Sequence, residues 1–461
     1  MAHRSAAVRR QSSGSMLSPH TDRVSEGGAE HVARDGAFLN SDGRDQRDLT
    51  IIALLAHAET TRAPLNSLVV VDALAATGLR SLRIAREVPQ VGKIFANDNS
   101  PDAFRCLCKN VEESKASLAG CEVKLLTSCE DAATLLTDLA SQKELVDFID
   151  LDPFGSPINI VPSALRCLKH GGLLSMAFFD VQVLTGFGHG SSELCFSRYG
   201  AQPLNMRCSK ELGIRIALAC VSKFALQLDR NLEPLICAYV NCCVRIIARV
   251  THQDHEHVCD SKHVGSHHMV WKCTNCEYWE MVGADSSVSK KCEVCGNQEK
   301  ELGGPIWSAS LVDKNFFSVC KRTLEKVQME RNIADADNLS ILFRELSAEL
   351  PNPLFYDFSF FSRCSARSDN SFDRTNILRT IEKAGYKVSH SHTAVNLAVK
   401  TDAPNSFLTQ MLQKLSAKLE EPPVPRGEGQ QTVGQLDVVP QVNAQLKECN
   451  VLRNHPRTMS V

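Results

Sequence analysis

Four short apolar runs in the first third of the chain each end at an acidic residue, and this pattern constrains the fold most strongly. The runs lead to Asp72, Asp98, Asp131 and Asp150, and helical segments separate them. Alternation of strands and helices predicts a parallel sheet with helices on both faces. The carboxyl ends of parallel strands meet at one edge, where such folds bind ligands. We therefore expect an α/β fold with a doubly wound, Rossmann-like sheet and acids gathered at one edge.

The loop after the first run indicates a nucleoside pocket at that edge. Residues 73–78 are mostly small and end at Gly78, so a ligand can approach the backbone amides at a helix N-terminus. Asp98 lies about 20 residues further on, the spacing at which a carboxylate binds a ribose in doubly wound folds. Asp131 can reach an adenine amine from the third unit. Taken singly, either acid could instead be a helix cap or a solvated turn.

The type of cofactor follows from what this loop lacks. Gly78 stands alone among alanines, so the G-x-G-x-x-G pattern of dinucleotide sites is missing, as is a phosphate-binding lysine. A nicotinamide oxidoreductase would share the sheet and Asp98 but would need a glycine-rich phosphate loop. A cofactor with adenine and ribose but no phosphate fits better, which favours S-adenosylmethionine.

The fourth run ends in Asp152-Pro153-Phe154-Gly155, a segment suited to holding a flat base. The carboxylate can accept hydrogen bonds from an exocyclic amine, and Phe154 offers a stacking face. Pro153 restricts the backbone and Gly155 permits a sharp turn. An ordinary β-turn after a strand is the alternative interpretation of these four residues alone.

These segments together resemble the tRNA guanine-26 N2-dimethyltransferase family. The similarity runs from about residue 38 to about residue 404, and the segments that carry it are 38–40, 47–50, 73–81, 150–157, 197–200, 302–307 and 399–404. Membership would imply transfer of methyl groups from S-adenosylmethionine to the N2 amine of guanosine 26 in tRNA. Several substrate-side positions depart from the family pattern, among them Phe179, so the resemblance is compatible with the addition of one methyl group or two.

The resemblance also implies roles for individual residues. S-adenosylmethionine would be bound by five of them, namely Arg47, Arg80, Asp98, Asp131 and Ala132. Asp152 and Phe154 would face the guanine as catalytic residues, with Phe38 as a second stacking ring. The alternative is a non-catalytic zinc-ribbon RNA-binding protein with a vestigial Rossmann domain. Such a protein would be free to lose its cofactor acids, yet all of them are present here.

The cysteine spacing predicts a metal site in the second half of the chain. Cys273 and Cys276 form one C-x-x-C pair, and Cys292 and Cys295 form another after a spacer of 15 residues. This is the zinc-ribbon pattern, and four thiolates leave no open position, so the zinc would be structural. Two reducible disulfides are the alternative. The other 15 of the 19 cysteines lie scattered in apolar segments, as buried thiols of a reducing compartment do.

Charge and composition restrict the partners. The net charge of −2 gives no overall attraction for RNA, so a tRNA surface must be local. The best candidate is the segment 374–400, with Arg379, Lys383, Lys387 and Lys400, although a solvated helix face is the alternative. No stretch approaches the 18 or more apolar residues of a membrane span, so we expect tRNA and no membrane as partner, and a monomer.

The chain length and the composition suggest several domains. A chain of 461 residues with 43% hydrophobic residues can fill two or three cores. We expect a disordered segment at 1–36, a methyltransferase domain at 37–250, a zinc ribbon at 251–302, a C-terminal tRNA-binding α/β domain at 303–420 and a disordered tail at 421–461. Residues before Asp22 contain arginines and no acid, which resembles a mitochondrial targeting sequence, and a plain disordered tail is the alternative. The expected compartment is reducing and intracellular, namely the nucleus, the mitochondrion or both.

Overall fold

A computed structural model describes residues 22–27, 29–33, 43–253, 266–276, 278–283, 290–331, 336–357, 374–394 and 398–420. Phe38, the predicted second stacking ring, lies outside these residues, as does the tail 421–461. The described residues belong to one unit, Asp22–Glu421.

Four of the strands in the described residues, those that begin at Leu68, Val91, Lys124 and Val146, were predicted from the apolar runs. The bounds of the described strands are β1 Asp22–Glu26, β2 Ala29–Ala33, β3 Leu68–Asp72, β4 Val91–Asn97, β5 Lys124–Ser128, β6 Val146–Leu151, β7 Leu168–Phe178, β8 Arg230–Val240, β9 Cys243–His252, β10 His267–Cys273, β11 Trp279–Val282, β12 Lys300–Trp307, β13 Tyr356–Asp357, β14 Val388–Ser389 and β15 Ala398–Thr401.

Helices connect the strands of the main sheet and fill the C-terminal part. Their bounds are α1 Arg44–Thr61, α2 Leu79–Glu87, α3 Pro101–Ser114, α4 Ala132–Ser141, α5 Val161–Cys167, α6 Val181–Leu184, α7 Ser191–Tyr199, α8 Ser209–Leu226, α9 Lys314–Arg331, α10 Ala336–Ala348, α11 Arg374–Lys383 and α12 Asn405–Glu420. None of the helices in the described part of the chain is long and apolar enough to cross a membrane.

The main sheet confirms the predicted doubly wound fold. Among the described residues it has seven strands in the order β5-β4-β3-β6-β7-β9-β8. Strands β3 to β7 are mutually parallel, and β9 runs antiparallel to both of its neighbours. The chain moves outward from β3 to β5 and then returns to place β6 on the other side of β3. This reversal opens a crevice at the carboxyl ends of β3 and β6.

Both faces of this sheet are covered by helices. Side chains alternate along β3, so Val70 packs with α1 and α9, whereas Val71 packs with α4, α5 and α8. Helices α9 and α10 contribute Phe317 and Phe343 to the same core as α1. A chain segment far from the sheet in sequence therefore completes one of its faces.

An N-terminal hairpin differs from the expectation of a disordered segment at 1–36. Strands β1 and β2 pair from Asp22 to Ala33, with Gly27 in the turn at a φ of +57°. Ala29 is buried against Leu79 and Leu82 of α2. The short polar sequence lacks a core-forming period of its own, and tertiary contacts with α2 order it.

The predicted zinc ribbon is a three-stranded sheet in the order β11-β10-β12. Its third strand runs to Trp307, beyond the predicted boundary at 302. Trp271 and Val282 of the ribbon are buried in one cluster with Ile381 of α11, Val399 of β15 and Leu408 of α12. The ribbon and the C-terminal helices thus share a core.

Candidate active site

The loop after β3 wraps tightly around the end of β4. The Ala75 amide donates to the Asn97 carbonyl at 2.6 Å, and the Gly78 amide donates to the Ala75 carbonyl at 2.7 Å. Gly78 has a φ of +82°, and a Cβ there would lie 2.5 Å from a methyl of Leu107. Only glycine fits this position, since a side chain would be strained and would collide. The loop therefore brings the N-terminus of α2 to the sheet edge.

Asp98 lies directly after β4 and is half-buried at the same edge. One carboxylate oxygen accepts the Ala76 amide at 2.9 Å, and the other accepts the Ser100 amide at 3.0 Å. An ionised carboxylate has about four lone-pair sites, so it can accept further hydrogen bonds from ligand hydroxyls. Ribose binding by Asp98 stays a prediction that these contacts allow.

Asn97 is a positioning residue that sequence reasoning missed. It is fully buried, and its amide nitrogen donates to the carbonyls of Ala73 at 3.1 Å and Glu130 at 2.9 Å. Its side-chain oxygen accepts the Ser128 hydroxyl at 2.8 Å and the Glu130 amide at 3.0 Å. One side chain thus ties together the ends of three strands. The residue follows three apolar positions, Ile94 to Ala96, directly before Asp98, which is the only sequence signal for it.

Asp131 and Ala132 begin helix α4 next to this clamp. The exposed Asp131 side chain caps the helix by accepting the Thr134 amide at 3.0 Å, while Ala132 is buried. The capping role that was the alternative interpretation is therefore real. The cap uses only one carboxylate oxygen of Asp131. Asn97 joins the ends of β4 and β5, so the other oxygen and Ala132 lie at the same sheet edge as Asp98.

Arg80 links two carboxylates instead of standing open to solvent. It is buried in α2 and forms ion pairs with Asp150 and Asp152. Asp150 also pairs with the buried Arg245 of β9, which donates to the hydroxyls of Thr50 at 2.7 Å and Ser175 at 2.8 Å. A connected network of charges therefore lies below the D-P-F-G segment, and sequence spacing gave no sign of Arg245.

This network sets the charge of Asp152. Burial by itself would raise the pKa of the Asp152 carboxyl, but the charges of Arg80 and Arg245 outweigh burial and hold it below its usual value. Asp72 differs, because burial dominates and raises its pKa, although it accepts the Ser81 hydroxyl at 2.7 Å. Asp152 is therefore an ionised acceptor near neutral pH.

Phe154 lies at the surface beside this carboxylate. Its side chain is 77% exposed, which is unusual for phenylalanine and suits a stacking surface. The next residue is held, since the Gly155 carbonyl accepts the Phe179 amide at 2.8 Å. The structure thus brings Arg80, Asp152 and Phe154 together, and it places Asp98 and Asp131 on neighbouring strand ends.

Arg47, the other predicted cofactor arginine, is held by the N-terminal hairpin. Its guanidinium donates to both carboxylate oxygens of Glu26, at 2.8 Å and 2.6 Å. Glu26 also accepts from Arg83 at 2.7 Å, and Arg83 pairs with Asp48 and Glu87. Burial would raise the pKa of Glu26, but Arg47 and Arg83 lower it to about 2. The charge of Arg47 also acts on Asp152.

The four predicted metal ligands form a second candidate site. The Sγ atoms of Cys273, Cys276, Cys292 and Cys295 all lie within 4.8 Å of one another, the one such group of possible metal ligands among the described residues. The closest pairs are 3.6 Å apart, far beyond a disulfide bond and near the 3.8 Å or so that tetrahedral zinc–sulfur bonds of about 2.3 Å require. The arrangement fits a tetrahedral ion, and the disulfide alternative is wrong.

Backbone turns shape this cysteine site. Gly296 has a φ of +74°, and its amide donates to the Cys292 carbonyl at 2.8 Å. Burial would raise the pKa of Cys273, but amide N–H groups of Cys276 and Asn275 help lower it to about 7. A thiolate at this position is what zinc binding needs.

The proposed basic surface needs a correction at Lys400. Its side chain is 2% exposed and its Nζ lies 3.1 Å from Glu211 and 2.6 Å from Glu349. Lys400 is thus a buried ion-pair partner and cannot contact RNA. Arg379, Lys383 and Lys387 are exposed.

Comparison with known proteins places these sites in a family. The sequence family described as N2,N2-dimethylguanosine tRNA methyltransferase matches residues 21–413. The tRNA (guanine(26)-N(2))-dimethyltransferase of Drosophila melanogaster is 30% identical over 375 residues, which are 76% of this chain and 61% of the fly protein. The human enzyme of the same name is 31% identical over 364 residues, 75% of this chain and 52% of the human protein.

An archaeal relative and a solved structure extend this similarity. The enzyme of the same name from Methanosphaera stadtmanae is 26% identical over 82% of this chain and 91% of its own. The structure of Trm1 from Pyrococcus horikoshii with S-adenosyl-L-methionine has a TM-score of 0.68 at 22% identity and covers 86% of this chain and 99% of Trm1, which supports the fold. The chain spans only about half to three fifths of the fly and human proteins. It belongs to the N2,N2-dimethylguanosine tRNA methyltransferase family.

Proposed function

We propose that the protein is an S-adenosylmethionine-dependent tRNA methyltransferase that modifies the N2 amine of guanosine 26 and forms N2,N2-dimethylguanosine. The observation that carries the proposal is an ionised Asp152, held by Arg80, next to the exposed ring of Phe154 at the carboxyl edge of a doubly wound sheet. Family membership supports the same reaction. A non-catalytic RNA-binding protein would have no need for this buried charge network.

The residues at the edge fit the proposed cofactor. Asp98 has acceptor capacity for ribose hydroxyls, and Asp131 with Ala132 lies on the adjoining strand end where an adenine would be read. Arg47 and Arg80 supply positive charge for the methionine carboxylate. Bound there, S-adenosylmethionine would supply a methyl group already activated on its sulfonium.

The protein's part in the chemistry is positioning and charge. The lone pair of the guanine amine is delocalised into the ring, and hydrogen bonding of its N–H to Asp152 favours the more nucleophilic pyramidal form. The same carboxylate would stabilise the positive charge that develops on the amine as the C–N bond forms and the methyl–sulfur bond breaks, with the electron pair left on sulfur. It would also accept the proton that the amine must lose. Phe154, with Phe38 as the proposed second ring, stacks on a guanosine flipped out of the tRNA helix.

The remaining regions are proposed to serve RNA binding. Zinc held by the four cysteines would order the ribbon and the C-terminal helices that share its core. Exposed Arg379, Lys383 and Lys387 would contact phosphates. We propose that a monomer acts on tRNA in the nucleus or the mitochondrion; gel filtration and imaging of a tagged full-length protein test these two points.

The deciding experiment is single-turnover methylation of tRNA with mass analysis of methylated guanosine. Asp152→Ala should lower the methylation rate about 100-fold or more while S-adenosylmethionine still binds, because the lost interaction acts mainly in the transition state. Asp98→Ala is the matched comparison at the same edge. It should weaken cofactor binding by about 1.5–3 kcal/mol, the range for charged hydrogen bonds.

Asp102→Ala, an exposed acid on α3, serves as the control and should leave both properties unchanged. A folded Asp152→Ala protein that methylates tRNA at the wild-type rate contradicts the catalytic role. Wild-type protein that binds S-adenosylmethionine but leaves guanosine 26 unmodified contradicts the proposed function.

A further inference from the structure

The segment Ser197-Arg198-Tyr199-Gly200 is one of the family-like motifs, and none of the roles above uses it. It forms the end of α7, and Tyr199 is 3% exposed. The Tyr199 hydroxyl lies 2.8 Å and 2.9 Å from the two carboxylate oxygens of Asp180 and 2.7 Å from the Ser156 hydroxyl. The buried Tyr199 therefore connects Asp180, just after β7, with Ser156 in the segment that follows the neighbouring strand β6.

The directions of these hydrogen bonds follow from the donors available. An ionised carboxylate only accepts, so the single proton of the Tyr199 hydroxyl goes to Asp180. The Ser156 hydroxyl must then donate to the Tyr199 oxygen, and the Ser156 oxygen accepts the Ile158 amide at 3.4 Å. Burial, together with the charge of Asp180, raises the pKa of Tyr199, so its hydroxyl keeps its proton. The direction from Ser156 through Tyr199 to Asp180 is therefore fixed, and the Tyr199 proton points to one or the other oxygen of the same carboxylate.

This series of hydrogen bonds, from Asp180 through Tyr199 to Ser156, ends at the loop that carries Phe154. Ser156 lies two residues after Phe154, and the intervening Gly155 carbonyl accepts the Phe179 amide at 2.8 Å. Asp180 follows Phe179 and is itself held by Arg198 at 2.9 Å. Gly155 and Ser156, the two residues after Phe154, are therefore fixed to the end of β7 and to Tyr199 of α7, respectively. A ring presented on such a backbone needs little ordering when a base arrives.

We propose that Tyr199 is a positioning residue for guanine binding, which acts by linking Asp180 to Ser156 and so holding the Phe154 loop. The proposal rests on the proposed function, because the stacked base is its substrate. Tyr199 does not touch the substrate; it sets where Phe154 and Asp152 present their side chains. Interactions with the cofactor at Asp98 and Asp131 do not depend on it.

Tyr199→Phe is the sharpest test, because it removes one oxygen and keeps the ring that packs against Phe178. We expect kcat/KM for tRNA to fall about 10-fold or more, since small misplacements of substrate-positioning groups cost this much or more. S-adenosylmethionine affinity should stay within about twofold. Hydrogen–deuterium exchange of the peptide that contains residues 152–157 should rise in the variant, and this readout needs no activity.

Two further variants separate positioning from simple loss of stability. Tyr278→Phe removes another buried tyrosine hydroxyl, which accepts from Thr409 at 3.2 Å in the ribbon, and should leave exchange at 152–157 unchanged. Ser156→Ala should reproduce the Tyr199→Phe defect. The double variant should be no worse than either single variant, because all three remove the same hydrogen bond between Ser156 and Tyr199.

Unchanged exchange at 152–157 in Tyr199→Phe, or a tRNA kcat/KM equal to that of the wild type, overturns the proposal. Equal losses of cofactor affinity and tRNA turnover overturn it as well, since they indicate general destabilisation. The proposed function fails by a different result, namely a wild-type protein that does not methylate tRNA.

Discussion

Individual buried arginines decide the charge of the acids at this site. Arg80 and Arg245 keep Asp152 ionised, whereas Asp72, which lies opposite Asp150 on the neighbouring strand β3, has its pKa raised by burial. Of these acids, Glu26 lies farthest from Asp152 in sequence, and it contacts Arg47, which is 21 residues away in the chain. Because the balance between burial and nearby arginines differs from one carboxylate to the next, their residue type alone does not predict their charge.

Glu26 should make stability depend on pH in a defined window. Its pKa is lowered from 4.5 to about 2, so its contribution is fully present above pH 4.5 and is lost as pH falls towards 2. That shift corresponds to about 3 kcal/mol at most for this buried group. We expect Glu26→Gln to be less stable than the wild type at pH 7 and to lose less stability between pH 4.5 and 2.

Urea unfolding at a series of pH values measures this difference. Glu112→Gln is the control, because Glu112 pairs with Lys115 at an exposed position where the ion pair contributes little. Parallel pH profiles for Glu26→Gln and the wild type would contradict the assignment of the acid-sensitive contact to Glu26.

At the scale of elements, local pattern and tertiary contact determine different parts of the fold. Strands β3, β4, β5 and β6 were predicted from apolar runs, and they occupy the centre and one side of the sheet. Hairpin β1–β2 was not predicted, since it is ordered by contacts with α2. In the ribbon, cysteine spacing predicted the knuckles, but the packing of Trp271 and Val282 against α11 and α12 could not be read from spacing.

Zinc removal should therefore loosen more than the ribbon. The purified protein is expected to carry one zinc ion per chain, and a strong chelator should increase hydrogen–deuterium exchange in α11, α12 and β15, whose side chains share the ribbon core. S-adenosylmethionine affinity should be retained, because the cofactor acids lie on the main sheet. Cys295→Ser should lower the zinc content, whereas Cys129→Ser, an exposed cysteine outside the cluster, should not. A metal-free native protein would contradict the site.

At the scale of the whole molecule, a buried charge cluster joins helix α8, which packs on the main sheet, to the C-terminal part. Glu211 of α8 pairs with Arg215 and Lys400, and Lys400 also pairs with Glu349. Arg215 in turn donates to the Trp307 carbonyl at 2.7 Å at the end of the ribbon. The end of the ribbon and the C-terminal part are thus both tied to helix α8, which packs on the main sheet.

Lys400→Met should destabilise the protein by about 3–5 kcal/mol, because it leaves two buried carboxylates without their shared cation. Lys383→Met, at an exposed position of α11, is the matched control and should leave stability nearly unchanged. Thermal unfolding and tRNA binding are measured on both variants. A stable Lys400→Met protein with reduced tRNA affinity would instead support a place for Lys400 itself in the basic surface, which its burial argues against.

The amino-acid sequence by itself determined the doubly wound fold, the edge that carries Asp98 and Asp152, and the four-cysteine site. These depend on periodicity and short spacings, which local geometry converts directly into strands, turns and knuckles. Only the tertiary structure decided that Asn97 clamps three strand ends, that Arg80 pairs with Asp152, and that Lys400 is buried. A charged or amide side chain looks the same in sequence whether it faces water or a buried partner. Its role is set by residues that are distant in the chain and adjacent only after folding.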